Sequence, residues 1–246
     1  MAKQARKTRT RKARKPAAAA PRMPDARQAL RWAGRALTGI TALFLLLALS
    51  YTVLNPPTTA YMLAESIRYG GIKRNWVSIE EMSADVPRAV VAAEDANFCL
   101  HWGFDMAAIR EAIEQGGTRG ASTLTQQTVK NVFLWHGRSW PRKALEAVMT
   151  PVVELLWSKR RTLEIYLNVA EFGKGVFGIE AAAQHYFGTS AKDLSGARAA
   201  LLAAALPNPK ERNPARPSGF LRKRARQIAE GADTINVDGR ADCFQG

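Results

Sequence analysis

Three short stretches hold side chains whose types and spacing could do chemistry. The first is Glu94-Asp95, two acids that follow the apolar run Val90-Val91-Ala92-Ala93. Carboxylates set against a core lose hydration and oppose each other's ionisation, so one can titrate high enough to serve as a general base. The same pair also reads as a plain helix end with solvated acids. The second stretch is Gly120 to Asn131, GASTLTQQTVKN. Small residues before a Ser cap expose backbone N–H groups that suit an anion. Gln126 and Gln127 precede Lys130 by four and three residues and share its face, as they would on an ordinary capped surface helix. The third runs from Arg138 to Glu146. Pro141 fits a first helical turn, and Arg142 with Glu146 forms an i,i+4 pair. That pair is either a surface salt bridge worth roughly a few tenths of a kcal/mol or a second carboxylate beside a basic, anion-binding loop.

Helical signals dominate the elements that must position these residues. Asp105 is placed to cap a helix whose Met106, Ile109 and Ile113 recur at helical spacing, ending at Gly116-Gly117. Ser122 is expected to cap another running to about Leu134. Residues 142–168 read as one longer periodic stretch bent at Pro151. Helices over Ile179–Phe187 and Ser195–Leu206 follow, the last stopped by Pro207-Asn208-Pro209. No hairpin and no internal repeat is evident, so the fold class is mainly α.

Charge is distributed unevenly. The chain has 36 Lys+Arg against 21 Asp+Glu, a net +15, yet residues 1–35 alone carry 12 basic and 1 acidic side chain. Residues 36–209 are close to neutral, with 16 basic and 15 acidic. A strongly basic composition therefore describes an arm, and nucleic acid is not expected as a partner. Residues 36–54 contain no charge. At about 1.5 Å per residue this run can span a bilayer, and it is longer than the usual h-region of a cleaved leader. The basic residues before it place the N-terminus in the cytoplasm and the rest outside. Three scattered histidines and two distant cysteines show no metal-ligand spacing.

Taken together, the motifs resemble the family-51 glycosyltransferases, the peptidoglycan transglycosylases that polymerise lipid II, and most closely the stand-alone monofunctional type. Glu94-Asp95-Ala96-Asn97-Phe98-Cys99-Leu100-His101-Trp102-Gly103 fits the family's first motif, and Gly120 to Leu134 fits the second. Arg142-Lys143 with Glu146, Ser158-Lys159 and Tyr166-Leu167-Asn168 fit the third. Gly178 to Gly188 and Leu201 to Pro209 fit the last two. The resemblance implies a lysozyme-like glycosyltransferase domain with a smaller membrane-associated lobe, preceded by one transmembrane helix. The division expected is a basic arm at 1–35, largely disordered, a signal anchor at 36–54, the catalytic domain at 55–230 and a tail at 231–246.

By the same resemblance Glu94 is the general base that deprotonates the acceptor 4-hydroxyl, and Glu146 is a second essential acid near the leaving diphosphate. Lys130 and Arg138 match positions that contact donor phosphate. Gln126, Asn131, Ser122 and Thr123 belong with the substrate-binding surface. The expected partners are lipid II, the growing lipid-linked glycan and inner-membrane lipids, with other cell-wall synthesis or division proteins. No cofactor is evident, although a divalent Mg or Mn ion could assist the diphosphate. An inverting transfer calls for carboxylates roughly 6.5–9.5 Å apart or more. A glycan-cleaving enzyme is the neighbouring alternative, but a diphosphate leaves without a proton and needs positive charge, which Lys130 and Arg138 would supply.

Three expectations complete the reading. Phe133, Leu134, Trp135 and Trp140 bracket a loop, and some of them are expected at the bilayer surface rather than in the core. Cys99 and Cys243 are expected to remain unbonded, since a bond would bring the C-terminal end to the active-site region. The segment after Arg226 reads as a frayed tail.

Overall fold

A computed structural model describes residues 25–116, 120–137 and 139–245. Residues 1–24 and Arg138 lie outside the described residues. The chain divides into two compact units, Met1–Leu43 and Phe44–Gly246. Helix α1, Ala26–Ser50, carries the uncharged run as far as Ser50 and is long and apolar enough to cross a membrane. It begins ahead of the expected span, so residues 26–35 are helical and not part of a disordered arm. Their Ala, Leu, Gln and Arg are good helix formers, and Arg27, Arg31 and Arg35 are four apart along one side.

The second unit contains α2 (Ala60–Tyr69), α3 (Asp85–Glu94), α4 (Met106–Glu114), α5 (Leu124–Phe133), α6 (Trp140–Leu156) and α7 (Lys159–Val169). After these come α8 (Ile179–Phe187), α9 (Gly196–Ala205), α10 (Gly219–Val237) and α11 (Asp242–Gln245). A small sheet of order β1-β3-β2 joins Lys73–Arg74, Val176–Phe177 and Glu171–Gly173. In it β1 runs parallel and β2 antiparallel to β3. The β2–β3 hairpin overturns the expectation of none. Its strands are too short to show alternation, and Gly175, at φ 69°, makes the turn a side chain would resist.

Two apolar cores share the middle helices. The larger gathers Val90, Val91 and Phe98 with Leu163, Leu167, Ala203 and Ile228. The smaller gathers Met62, Val129, Val153, Trp157, Ile165 and Phe177. Helix α5 supplies Leu124 to the first and Val129 to the second, while α7 supplies Leu163 and Ile165. These two helices therefore stand where the cores meet. The expected single helix over 142–168 is in fact two. Pro151 lies inside α6, and the break falls at Trp157-Ser158, where the Ser158 hydroxyl accepts from Arg161 N at 3.1 Å and starts α7. Trp157 is extended there, and its indole N–H donates to Ala48 O at 2.7 Å, fastening the end of α1.

The C-terminal expectations also need correction. Helix α10 runs through residue 230 and buries Leu221, Ala225, Ile228, Ala232 and Ile235. That spacing of four and three is a helical stripe, masked in the sequence by the charges between. After Gly239, at φ 80°, the chain turns back, Phe244 is buried, and Cys243 is disulfide-bonded to Cys99.

Gly103 marks a close approach. Its φ is +83°, and a Cβ there would stand 2.8 Å from Thr150 Cγ2 and 2.9 Å from Glu154 Cγ on α6. Gly103→Ala is expected to cost about 2–4 kcal/mol, a fall of roughly 5–15 °C in thermal midpoint. A midpoint within a degree of the parent would contradict this close packing.

Candidate active site

Asp95 sets the site's frame. Helix α3 ends at Glu94, because Asp95 leaves helical geometry at φ −162°, ψ 70°. Its buried carboxylate accepts from Leu124 N at 2.9 Å and from His101 Nε2 at 2.9 Å. One of the unpaired N–H groups at the start of α5 is thereby tied to the end of α3. Thr123, not Ser122, caps α5. The Thr123 hydroxyl accepts from Gln126 N and donates to Gly103 O at 2.7 Å, while Gln126 Oε1 accepts from Thr123 N at 3.1 Å. Gln126 is only 5% exposed, so Thr123 and Gln126 build the helix start and do not face the cleft.

One residue on, α5 reaches Glu94. Gln127 Nε2 donates to Glu94 Oε2 at 2.9 Å, and the Tyr166 hydroxyl on α7 donates to Gln127 Oε1 at 3.2 Å. The relay fixes which way the Gln127 amide points. Burial pushes the Glu94 carboxyl above the usual carboxylate range, against the pull of the Gln127 amide, Lys130 and Arg224, while Asp95 adds to the rise. Burial lowers the Lys130 ammonium, which feels Glu146 and Glu94 as attraction and Arg142 and Lys143 as repulsion.

Glu146, on α6, is handled differently. It is 2% exposed, and both its oxygens are paired: Arg142 Nη1 donates at 2.5 Å, and Lys143 Nζ donates to the other oxygen. Lys143 also donates to Ser122 Oγ at 2.9 Å, and Arg142 Nε to Gly137 O at 2.9 Å. The i,i+4 pair is thus a buried network, not a surface bridge, and losing one partner would strand a charge.

A cleft of about 360 Å³ opens beside these groups, lined by Gln127, Lys130, Asn131 and Tyr166 on one side. The far side comes from Tyr61 on α2, Glu171 on β2 and the segment Pro207 to Lys210. There Tyr61 donates to Glu171, and Lys210 donates to Glu65 at 2.7 Å and lies 3.5 Å from Glu171. His136 stacks on Tyr61 at 3.4 Å. Desolvation, with Lys130, Arg142 and Lys210 nearby, lowers it to about 4. It is therefore neutral at pH 7.

Of the expected residues, the structure places Lys130 and Asn131 on the cleft, Glu94 behind Gln127, and Glu146 in its own cationic network. Arg138 lies outside the described residues. Tyr61, Glu171 and Lys210 belong to no motif singled out in the sequence, and only the fold brings them together. The aromatic cluster is split. Leu134 is buried and Phe133 packs against Phe44 and Trp157, whereas Trp135 is 47% and Trp140 88% exposed.

Residues 62–233 match the transglycosylase family model. A biosynthetic peptidoglycan transglycosylase of Jannaschia sp. (strain CCS1) is 60% identical over 214 residues, 87% of this chain and 90% of that protein. Proteins of the same description from Stutzerimonas stutzeri (strain A1501) and Caulobacter vibrioides (strain ATCC 19089 / CIP 103742 / CB 15) are 50% and 42% identical. They cover 79% and 83% of this chain, and 84% and 94% of their own. The molecule is a glycosyltransferase with a lysozyme-like, mainly helical domain. The chain belongs to the family of peptidoglycan transglycosylases.

The raised Glu94 carboxyl has a consequence for stability. A carboxyl raised in the fold stabilises it fully below the unfolded pKa, and that contribution is lost as pH rises through the folded value. Ionising the carboxyl therefore costs more in the fold than in the unfolded chain. Glu94→Gln keeps an acceptor for Gln127, so its thermal midpoint at pH 7.5 should match or exceed the parent's, with the advantage shrinking toward pH 4. A lower midpoint at pH 7.5 would contradict the burial argument.

Proposed function

We propose that this protein polymerises lipid II into β-1,4-linked glycan strands, with Glu94 as general base. The observation that carries the reading is the Tyr166–Gln127–Glu94 relay, which holds a desolvated carboxylate directly behind Gln127, a residue that lines the cleft together with Lys130. In the proposed step Glu94 takes the proton from the acceptor GlcNAc 4-hydroxyl. That oxygen attacks C1 of the donor MurNAc from the face opposite its diphosphate, forming the C1–O4 bond with inversion. The bond from C1 to the phosphate oxygen breaks, its electron pair stays with oxygen, and undecaprenyl diphosphate leaves. Lys130 meets the growing negative charge in a partly dehydrated site, where Coulomb attraction is stronger than in water. Glu146 holds Arg142 and Lys143, and Arg142 in turn holds the Gly137 carbonyl.

A divalent Mg or Mn ion at the leaving diphosphate would add positive charge to the same step. Among the described residues, no group of three His, Cys, Asp or Glu side chains could hold one. A location in the inner membrane, with the catalytic domain in the periplasm, is supported by α1 and the basic residues before it. The Cys99–Cys243 bond supports it too, since disulfides persist in oxidising compartments.

Labelled lipid II tests the reaction. The parent protein is expected to build polymer, Glu94→Gln to lose at least about 10²-fold in kcat, and Glu146→Gln to lose comparably. Equal polymer from parent and Glu94→Gln would remove the base assignment. Shortening of preformed strands without polymer would favour a glycan-cleaving enzyme.

Trp135 and Trp140 fit a bilayer surface that presents the lipid-linked substrate. With both changed to Ser, KM for lipid II in vesicles should rise several-fold, while turnover of a short-chain, detergent-soluble analogue stays near the parent's. An unchanged KM in vesicles would oppose the placement.

A further inference from the structure

The C-terminal segment grips the base-bearing segment at three regularly spaced points. Arg224 on α10 donates from Nη2 to Ala93 O at 3.3 Å. Arg240, past the end of α10, donates from Nη1 to Ala96 O at 3.5 Å. Cys243 in α11 is bonded to Cys99. Positions 93, 96 and 99 bracket Glu94-Asp95 and the irregular turn after it. The gripping residues are themselves held. Asp238 fixes the Arg240 guanidinium through Nε at 2.9 Å and Nη2 at 2.7 Å. The Phe244 side chain is buried, and its carbonyl accepts from Arg160 Nη1 at 2.6 Å, while Arg160 also pairs with Glu80.

We propose that this C-terminal clasp, closed by the Cys99–Cys243 disulfide, is a positioning device for Glu94, and that glycosyl transfer depends on the bond being oxidised. The inference rests on the reading of Glu94 as the base. From the α5 side the segment is held by Asp95, through Leu124 N and His101. From the α10–α11 side, the disulfide is the one covalent tie. Opening it leaves the long Arg240 contact, the single Arg224 bond and the apolar packing of Val90, Val91 and Phe98 against α10 to hold the segment, none of which fixes it covalently. A shift of about 1 Å in a reacting group can cost on the order of 10²-fold in rate.

Oxidation state is experimentally accessible. An added dithiol transfers two electrons and two protons to the bond, giving two cysteine thiols and its own cyclic disulfide. The chain has two cysteines, so the reagent has no other target within it. The groups that face Glu94 are Lys130 and Gln127 from α5, Arg224 from α10, Tyr166 from α7 and its neighbour Asp95. None of these is removed by reduction. Loosening the segment instead admits water to the carboxylate, so its pKa should fall back toward the ordinary range.

The test uses the full chain in lipid vesicles, at a temperature well below its thermal midpoint in either redox state. Oxidised parent, dithiol-reduced parent with its thiols counted, and Cys243→Ser are compared on lipid II. The expected result is a fall of about tenfold in kcat with KM within twofold, and an acid limb of the pH profile moved to lower pH. Reoxidation should restore the parent and leave Cys243→Ser unchanged. If reduction lowers the thermal midpoint but leaves kcat within twofold and the pH profile in place, the bond is merely structural and the proposal falls. Full activity in Glu94→Gln would instead refute the base assignment, and is read independently of the redox comparison.

Discussion

The buried Asp95 carboxylate is the interaction on which the site depends. It lies at the C-terminal end of α3, takes a backbone N–H from the first turn of α5, and takes a ring N–H from His101. A buried ion without donors is costly, so the three segments are held together by the need to satisfy one charge. Alignment of the remaining parts follows. With α5 starting there, Thr123 reaches Gly103 O, and Gly103 can lie against Thr150 and Glu154 of α6. Glu94, one residue before Asp95, and Gln127, three residues after Leu124, then meet.

The two carboxylates of the site have opposite surroundings. Glu94 has an amide as its hydrogen-bond partner and feels its cations only at a distance, so dehydration dominates. Glu146 is bonded directly to Arg142 and Lys143. The first environment suits a group that must accept a proton, and the second a group that keeps cations in place. Lys130 feels both acids. That division supports the proposed displacement of a diphosphate, for which fixed positive charge matters more than a proton donor.

The cleft exists because two cores share α5 and α7. One face of each helix is committed to the larger core and another to the smaller, which leaves Gln127, Lys130 and Asn131 to line the space beside them, with Tyr166 reaching it from the larger core. Its far wall is assembled from α2, β2 and the segment after α9, and is held by Lys210 among Glu65, Glu171 and Tyr61. The polar groups of that wall largely satisfy one another, so it keeps its shape while still offering donors and acceptors.

Much of this was determined by the sequence alone. The uncharged run, the helical periodicities and the acid, amide and cation spacing of the motifs are local properties, and they led to the helical class, the apolar span and the candidate residues. Local pattern also misled where two signals competed. Ser122 and Thr123 both qualify as caps, and only the Gln126 side chain and Gly103 carbonyl select Thr123. The α10 stripe was legible in principle but hidden by its charged neighbours. Other features are decided only by tertiary structure, because they join residues far apart in the chain. These are the burial of Glu146, the Tyr166–Gln127–Glu94 relay, the Tyr61–Glu171–Lys210 wall and the Cys99–Cys243 bond across 144 positions. Residue type and spacing state what a side chain can do. Dehydration and long-range pairing, which set how strongly it does so, arise only when the cores close around it.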